Sequence, residues 1–411
     1  MTAQKFVLEI GRAMHALGSP SYRVEDAMDA CCRAFGLQGS FFSTPTAIFA
    51  AIGDAGEEPR TTLMRVVPGD HDLGRLAALY RIRDDVLAGA RTPEEGLVRV
   101  RAILELPPRR QPFVDVVAHG LSGAAAAVLF SGGMAEVALA GTAGLLVGAI
   151  AQASQLRPGL GDVQAPLACA VVAFCVHLAA GAGLAIDPMT TTVAAIVVLL
   201  PGLSFTTALA ELAMRHLSSG SARLLGTVAV LLTMAIGVGI GERTARAIVG
   251  WPATVAAGGL HWPWHLAALA AIATSYVILL RATRQQVVWV AIAVACGYGG
   301  ARLGGALLER ELGAFVGALG VAFAANLYAR WQRQPAAVVR TPGLLLLVPG
   351  SIGFRGFTMA LDKSTESVQF VFQMLLVGGA IVAGLLMAGV LLPPTLDGER
   401  DRDGRWRPLG S

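Results

Sequence analysis

Long apolar segments follow one another from about residue 113 to about residue 392, separated by short polar turns. Most of them have the roughly 17 to 25 residues that an α-helix needs to cross a bilayer core of about 30 Å. Hydrophobic residues make up 55% of the 411 residues and charged residues only 15%, which is unusual for a soluble globular protein. We therefore predict ten transmembrane helices. They are expected over residues 113–130, 134–151, 164–185, 189–214, 222–240, 264–280, 287–300, 312–328, 344–361 and 368–392.

The first 108 residues are different, because they hold a large share of the charge and lack long apolar segments. Apolar residues at helical spacing alternate there with stretches rich in β-branched and aromatic residues. Helices are predicted over residues 6–17, 24–35, 73–87 and 94–104, and strands over 40–43, 46–52 and 61–67. This pattern is typical of a small α+β soluble domain that precedes the membrane part.

The charge distribution predicts the topology. No apolar stretch near the N-terminus is long enough for a secretory signal, so we expect the N-terminus to stay in the cytoplasm. Arginines are more frequent in the turns that this orientation places inside, in agreement with the positive-inside rule. An even number of spans then leaves the C-terminal tail in the cytoplasm as well.

The net charge of +4 comes from arginines scattered between apolar segments, so nucleic-acid binding is not predicted. The five cysteines have no metal-ligand spacing, and we interpret them as reduced packing residues. No metal site and no cofactor are predicted. The lipid bilayer is the expected environment, and a homo-oligomer stays open because nothing in the sequence fixes the oligomeric state.

The pair Pro201-Gly202 in the fourth span recurs as Pro349-Gly350 in the ninth, 148 residues later. The same shift carries the other spans of the first half close to those of the second half. This predicts two copies of a five-span unit, and because five is odd the second copy crosses in the opposite sense. The predicted fold is a mainly α membrane protein with two inverted five-helix repeats and a small α+β N-terminal domain. The predicted divisions are 1–108, 109–245, 262–393 and, for a cytoplasmic tail, 394–411.

Each Pro-Gly pair is expected to interrupt its helix near the middle of the membrane, because proline lacks a backbone donor and clashes with the preceding turn. A break exposes N–H groups and the positive end of a helix dipole, which suit a carboxylate. The predicted substrate-binding residues are Pro201, Gly202, Ser204, Thr206, Thr207, Pro349, Gly350, Ser351 and Arg355. The alternative stays open that both pairs are kinks that only help packing.

Ionisable side chains inside spans are costly to bury, so they mark candidate paths for ions or substrate. The candidates are Asp115, His119, Glu136, His177, Glu211 and Arg302. The predicted proton-coupling residues among them are Glu211, Asp115, His119 and Glu136. Glu211 has a second interpretation, an ion pair with Arg215 one turn later.

Two short motifs have the form of intramembrane protease sites but are too weak to predict an enzyme. Residues 120–123 have the G-x-S-G form around Ser122, and residues 159–162 have the G-x-G-D form that ends in Asp162. Such patterns are weak in a chain with 49 glycines, and the sequence contains neither H-E-x-x-H nor a phosphate-binding loop. We predict no enzymatic activity, with a membrane hydrolase as the minor alternative.

Three short motifs carry a family resemblance. Residues 18–25 read Gly-Ser-Pro-Ser-Tyr-Arg-Val-Glu, residues 44–46 read Thr-Pro-Thr, and residues 130–133 read Phe-Ser-Gly-Gly. Together with the two Pro-Gly helices, they resemble the threonine/serine exporters of bacteria over nearly the whole chain. The motif residues of the N-terminal part are Ser21, Tyr22, Arg23, Glu25, Thr44 and Thr46. Gating, ligand binding and helix capping all stay open as roles for Arg23 and Glu25.

The resemblance implies export of threonine and serine, driven by the proton gradient, through a ten-span protein of the bacterial inner (plasma) membrane. Our hypothesis is that the amino acid binds between the two broken helices, and that one repeat rocks against the other to give alternating access. Some relatives are associated with dicarboxylate export. That alternative would require a second cation beside Arg355. In a third alternative, the N-terminal domain senses a ligand.

Overall fold

The computed structural model of the chain describes residues 2–393 except 55, 68, 70, 106–110, 251–257, 310 and 362–363. The predicted boundary after residue 108 and the predicted tail from residue 394 lie outside the described residues. Within the described ranges the chain is mainly helical, and its strands form one three-stranded sheet near the N-terminus.

An α+β unit forms the N-terminal part. Its elements are α1 (Thr2–Ala16), α2 (Ser21–Ala34), β1 (Leu37–Thr44), β2 (Ala47–Asp54), β3 (Arg60–Arg65), α3 (Leu73–Leu87) and α4 (Pro93–Glu105). The strands are antiparallel in the order β1-β2-β3. Phe6, Ile10 and Met28 from the first two helices share one apolar core with Ile48 of β2. Every helix and strand predicted here is confirmed, with ends shifted by a few residues.

Apolar helices make up the rest of the described chain. The first half contains α5 (Pro112–Leu129), α6 (Met134–Leu156), the short α7 (Pro158–Gly161), α8 (Gln164–Gly181), α9 (Pro188–Ala195), a 3-10 turn (Val197–Leu199), α10 (Gly202–Ala213) and α11 (Leu217–Val249). The second half contains α12 (Trp262–Leu279), a 3-10 turn (Arg284–Gln286), α13 (Val287–Leu307), α14 (Gly313–Gln332), α15 (Ala337–Leu347), α16 (Gly350–Leu361) and α17 (Glu366–Leu391).

Among the described residues, nine helices are long and apolar enough to cross a membrane. The number becomes ten if the pair α9 and α10, which is bent by 57°, forms one span. Helices α15 and α16 together form another of these spans, so both predicted broken helices consist of two half-helices. These helices support a multi-pass membrane protein.

Several of the predicted spans are too short, among them the seventh, predicted over 287–300, which continues as α13 to Leu307. The fifth, predicted over 222–240, is the longer helix α11, in which Arg223 and Glu242 are each held in an ion pair. The ninth, predicted over 344–361, starts earlier with α15, which accommodates Pro342 inside the helix. Charge and proline therefore mark the ends of a helix poorly where neighbouring groups compensate them.

The two halves repeat the same order of elements. Helices α12, α14, α15, α16 and α17 begin 148 to 150 residues after α5, α8, α9, α10 and α11. The turns after α5 and α12 also agree in detail, because Ser131 and Arg281 both have positive φ, at 66° and 52°. The two halves thus share the order of these helices and the geometry of this turn.

Helices α5 and α12, which occupy equivalent places in the two halves, pack against each other in antiparallel fashion. Ser122 Oγ lies 2.5 Å from Ser275 Oγ. In the turn after α5, Ser131 Cβ would lie 3.5 Å from a Cβ atom added to Gly259, which precedes α12. Residue numbers therefore rise along α5 as they fall along α12, and the two equivalent helices run in opposite directions.

Close packing of α8 against α11 depends on glycine. A Cβ atom added to Gly237 would lie 2.3 Å from the carbonyl oxygen of Pro166, and one added to Gly241 would lie 2.1 Å from that of Ala170. Glycines four residues apart let two helix backbones approach closely, which is a common way to pack membrane helices.

We expect Gly241→Ala to lower the free energy of unfolding by about 1–3 kcal/mol, because the new methyl group would overlap a backbone oxygen that cannot move independently. The matched control is Gly226→Ala on the same helix, where an added Cβ meets nothing within 4 Å. That control should be neutral or stabilising by up to about 1 kcal/mol. Unfolding in mixed micelles measures both, and equal effects of the two substitutions would contradict the assigned packing.

Candidate functional site

The two Pro-Gly pairs interrupt their helices at equivalent places and meet each other. Leu200 and Val348, which precede the prolines, both have extended backbone (φ −64°, ψ 124° and φ −63°, ψ 135°). A Cβ atom added to Gly202 would lie 3.3 Å from Gly350 Cα, and one added to Gly350 would lie 3.2 Å from Gly202 Cα. The two main chains are therefore nearly in contact where α10 and α16 begin.

A cavity of about 680 Å³ adjoins this contact. Its walls include residues 197–204 of the first break and residues 345–348, Gly350 and Ser351 of the second. The polar side chains contributed by other elements are His71, Asp115, His119, Gln152, Gln155, Gln164, Tyr276, Arg281 and Tyr298. The volume is typical of a small-molecule site. We call this space the central cavity.

Two helix N-termini converge on the central cavity. The carbonyls of Pro201 and Pro349 accept the first hydrogen bonds of α10 and α16, and Ser204 and Ser351 lie in the first turns. The first N–H groups of a helix have no intrahelical acceptor and lie at the positive end of its dipole. Such an arrangement can bind a carboxylate. The predicted substrate residues that line this cavity are Pro201, Gly202, Ser204, Gly350 and Ser351.

Three other predicted substrate residues have different surroundings. The guanidinium of Arg355 donates a hydrogen bond of 3.2 Å to Thr190 Oγ1 and lies 6.0 Å from the ring centre of Phe130. Thr206 and Thr207 line a second, smaller cavity between α10 and the N-terminal unit. The hydroxyl groups that follow the first break are therefore divided between two cavities.

Asp115 and His119 lie one turn apart on α5, at the wall of the central cavity. Asp115 Oδ2 accepts a hydrogen bond of 3.3 Å from Gln152 Nε2 on α6. His119 Nδ1 lies 2.8 Å from the carbonyl oxygen of Asp115. A carbonyl only accepts, so Nδ1 donates and Nε2 is the basic nitrogen of the neutral ring. Two groups that can exchange protons thus border the same cavity as the breaks.

Glu211, near the end of α10, is buried in a network that joins the membrane part to the N-terminal unit. Its carboxylate accepts hydrogen bonds from Arg223 Nε and Nη2 at 3.1 and 3.2 Å, so its partner is Arg223 rather than Arg215. The backbone N–H of Ser21 donates to Oε1 at 3.0 Å, and Ser219 Oγ donates to Oε2 at 2.9 Å. All four acceptor positions are used, and a proton on either oxygen would displace a donor.

This network also binds the first turn of α2. Ser219 already donates to Glu211, so Ser21 Oγ, 2.6 Å away, must donate to Ser219. The carboxylate therefore faces the N-terminus of α2, where the helix dipole favours negative charge. We call the four residues Ser21, Glu211, Ser219 and Arg223 the docking network.

The next residues of the N-terminal motif contact the turn between α10 and α11. His216 Nδ1 lies 3.6 Å from Glu25 Oε2, and the backbone N–H of Ser43 donates to Oε1 at 2.7 Å. Burial raises the pKa of Glu25, and these two contacts offset the rise only in part. The ring of Tyr22 lies 6.1 Å from that of His216, and the Arg23 guanidinium lies 5.6 Å from the Tyr22 ring centre.

Thr44 and Thr46 have local roles at the turn between β1 and β2. Thr44 Oγ1 donates to the carbonyl of Ala47 at 3.1 Å, and the Thr44 carbonyl lies 3.0 Å from His15 Nε2. Burial lowers the pKa of His15. The carbonyl of Thr46 accepts from the backbone N–H of Val66 at 3.1 Å. Both threonines therefore stabilise the sheet.

Glu136 closes a turn. It accepts hydrogen bonds of 3.0 Å from the backbone N–H groups of Gly133 and Asp187, and so fixes the starts of α6 and α9. His177 Nε2 lies 3.6 Å from Glu242 Oε1, on α11. These contacts explain why the two ionisable groups are tolerated inside apolar helices.

The remaining candidates have structural surroundings. The Arg302 guanidinium lies 5.6 Å from the ring centre of Tyr298. Ser122 contacts Ser275, as described above, and Asp162 is exposed. Cys31, Cys32 and Cys169 are buried and free, as expected for packing residues. Within the ranges that the structure describes, no group of three or more His, Cys, Asp or Glu side chains is arranged to hold a metal ion.

Sequence reasoning missed several polar residues of these sites. Gln152 and Gln155 lie three residues apart in the mainly apolar α6, which is a signal that could have placed a polar face on this helix. No comparable signal marks His216, Ser219 and Arg223. The partners of His216 and Ser219 in the N-terminal unit lie about 190 residues away in the chain, and Glu211, the partner of Arg223, lies on the preceding helix.

Comparisons with known proteins agree over most of the chain. A family model for threonine/serine exporters matches residues 5–244, and a second threonine/serine exporter model matches residues 265–391. An uncharacterised protein of Schizosaccharomyces pombe is 24% identical over 379 residues, which cover 86% of this chain and 48% of that protein. No solved structure matches.

Other relatives carry the name pheromone-regulated membrane protein 10. The protein of Debaryomyces hansenii is 24% identical over 396 residues, which cover 89% of this chain and 38% of that protein. The protein of Candida albicans is 25% identical over 376 residues, which cover 85% and 32%. The chain therefore spans about a third to a half of the length of these relatives.

We expect Glu211→Gln to loosen the N-terminal unit, because it leaves the half-buried Arg223 without its carboxylate, and breaking a fully buried ion pair costs at most about 3–5 kcal/mol. Amide hydrogen exchange in the first turn of α2 should become faster. The control is Glu242→Gln, which removes the ion pair with Arg246 on α11 but no contact with the N-terminal unit. Equal exchange in both variants would show that Glu211 does not hold the docking.

Proposed function

Because this chain belongs to the threonine/serine exporter family, we propose that it is a secondary transporter that exports threonine and serine by proton-coupled alternating access. The observation that carries the proposal is the near contact of Gly202 and Gly350 beside the central cavity. Two converging helix N-termini suit the carboxylate of an amino acid, and the hydroxyls of Ser204 and Ser351 add donors.

In this proposal the protein alternates between a state open to one side of the membrane and a state open to the other, which a duplicated architecture makes possible. Five spans in each half reverse the sense of the second half, and the antiparallel packing of α5 and α12 supports this inverted arrangement. Rocking of one half against the other would then move the opening of the cavity from one side of the membrane to the other. The contact between Gly202 and Gly350 is the natural pivot, because neither glycine has a side chain to resist rotation.

The orientation we propose has both termini in the cytoplasm of a bacterium and the protein in the inner membrane. The central cavity reaches the N-terminal unit at His71, and Arg281 of the turn after α12 also lines it. In this orientation the described conformation has its cavity extending toward the cytoplasmic side, where an exporter takes up its substrate. Proton coupling is assigned to Asp115 and His119, because they line this cavity, while Glu136 and Glu211 accept hydrogen bonds elsewhere and do not line it.

An amino acid fits the central cavity better than a dicarboxylate does. Arg281 is the arginine among the described lining residues of this cavity. Its Nη1 lies 3.7 Å from Asp72 Oδ2. Arg355 is not among the lining residues, and its guanidinium donates a hydrogen bond to Thr190. A second carboxylate would therefore meet little positive charge. We also propose that the chain is not a hydrolase, because Ser122 is paired with Ser275 and Asp162 is exposed.

We expect proteoliposomes that contain the protein and radiolabelled threonine to release it faster when a proton gradient is imposed. Gly202→Ala should slow this release at least about tenfold, because the added methyl group would lie 1.9 Å from Val348 Cγ1 and force the two breaks apart. Gly379→Ala is the control, since its Cβ meets nothing within 4 Å. Vesicles that retain threonine but release succinate would overturn the proposed substrate.

Asp115→Asn should separate transport from its driving force. We expect the variant to keep the exchange of internal for external threonine, which needs no net proton movement, and to lose uphill release driven by a pH gradient. A pH-sensitive dye inside the vesicles measures the proton flux. Asp162→Asn, which changes an exposed carboxylate, is the control. Unchanged proton flux in Asp115→Asn would remove this residue from the coupling mechanism.

A further inference from the structure

A second cavity, of about 90 Å³, lies where the N-terminal unit rests on the membrane part. We call it the interface cavity. One wall is formed by the turn between α1 and α2 and by α3, and the other by α10, α15 and the residues just before α15. Leu203 and His71 belong to the walls of both cavities. Any molecule bound here would contact both the N-terminal unit and a half-helix that starts at the central break.

The volume limits the size of the occupant. One water molecule needs about 10–15 Å³ of such space, so 90 Å³ suits about six to nine non-hydrogen atoms. Small amino acids and four-carbon dicarboxylates fall in this range. A nucleotide or a lipid does not.

The chemistry of the wall favours an anion. Positive or proton-binding side chains come from both sides of the cavity, with Arg23 and His71 on the N-terminal unit and Arg340 on α15. Hydroxyl groups are contributed by Ser19, Tyr22, Tyr80, Thr206, Thr207 and Thr341. None of the described lining residues is an aspartate or a glutamate. Guanidinium and hydroxyl donors without a carboxylate among the described lining form a setting that recognises carboxylates.

One buried atom at this wall adds an independent observation. Thr206 is only 1% exposed, and its Oγ1 makes no hydrogen bond within the described part of the chain. Buried hydroxyls are normally hydrogen-bonded, because leaving one unsatisfied costs about 1–3 kcal/mol. A ligand in the interface cavity, reached by a change of the Thr206 rotamer, would satisfy this hydroxyl.

We propose that the interface cavity is a second binding site, which takes one small carboxylate-bearing molecule of the size of an amino acid and thereby stabilises the docked N-terminal unit. A ligand that binds only the docked state stabilises that state, and the stabilisation grows as the ligand concentration rises above the dissociation constant. The site is separate from the paired breaks, so it does not depend on whether the central cavity carries the transported substrate.

Equilibrium dialysis of the purified full chain in nanodiscs, with radiolabelled threonine as probe, tests the proposal. We expect two bound equivalents, of which Gly202→Ala removes one. Thr206→Val removes the hydroxyl at nearly constant volume and should weaken the other about three- to tenfold. Thr192→Val is the matched control, because Thr192 is also 1% exposed with an unbonded Oγ1 but lines neither cavity.

Succinate and inorganic phosphate, used in parallel, identify the anion. A single equivalent of succinate that is sensitive to Thr206→Val supports the site and assigns it to a dicarboxylate, whereas binding of phosphate alone contradicts a carboxylate ligand. Hydrogen exchange over residues 17–24 should slow when the probe binds. The proposal is overturned if no probe binds with sensitivity to Thr206→Val, or if Thr192→Val weakens binding equally. If the unmodified protein binds only the equivalent that is sensitive to Thr206→Val, the result counts against the proposed function and supports the interface site.

Discussion

The approach of Gly202 to Gly350 is the constraint on which the rest of the structure depends. Two helices can be broken at the same depth and still touch only if both residues lack a side chain. The missing Cβ atoms bring two helix N-termini to one cavity wall, so the positive ends of two dipoles act on the same space. A membrane interior tolerates such exposed backbone only around a polar cavity, and the central cavity provides one.

Each half-helix that starts at this contact carries a charged residue further along, and each charge contacts a different element. On α10, Glu211 binds the first turn of α2 and so connects the break to the N-terminal unit. On α16, Arg355 binds Thr190 on α9, the half-helix that precedes the first break. A shift at the pivot would therefore strain a buried ion network on one side and an interhelical hydrogen bond on the other. The N-terminal unit is thus mechanically placed to respond to movement of α10.

The sequence predicted the order of the apolar helices, the mixed N-terminal unit and the paired breaks, because apolar periodicity and a recurring Pro-Gly pair are local signals. It did not predict which side chains share a cavity. Ser204 and Thr206 are two residues apart on a helix, about 200° around its axis, so the two residues line different cavities. An ion pair of Glu211 with Arg215 was one of two interpretations of the sequence, but Arg215 has a φ of 66° just beyond the end of α10, and Arg223 on the next helix is the partner.

Comparison of the two halves helps to separate structural from functional charge. Glu136 accepts the backbone N–H of Gly133, and in the second half Gln286 accepts that of Thr283, in the equivalent turn. A neutral amide therefore makes the same turn-closing bond as the carboxylate, and the charge of Glu136 is not needed for it. Asp115 differs, because it lines the central cavity with Gln152 as its neighbour. The carboxylate whose turn-closing bond is also made by a glutamine has a structural role, and our proposal therefore assigns proton coupling to the carboxylate that lines the cavity.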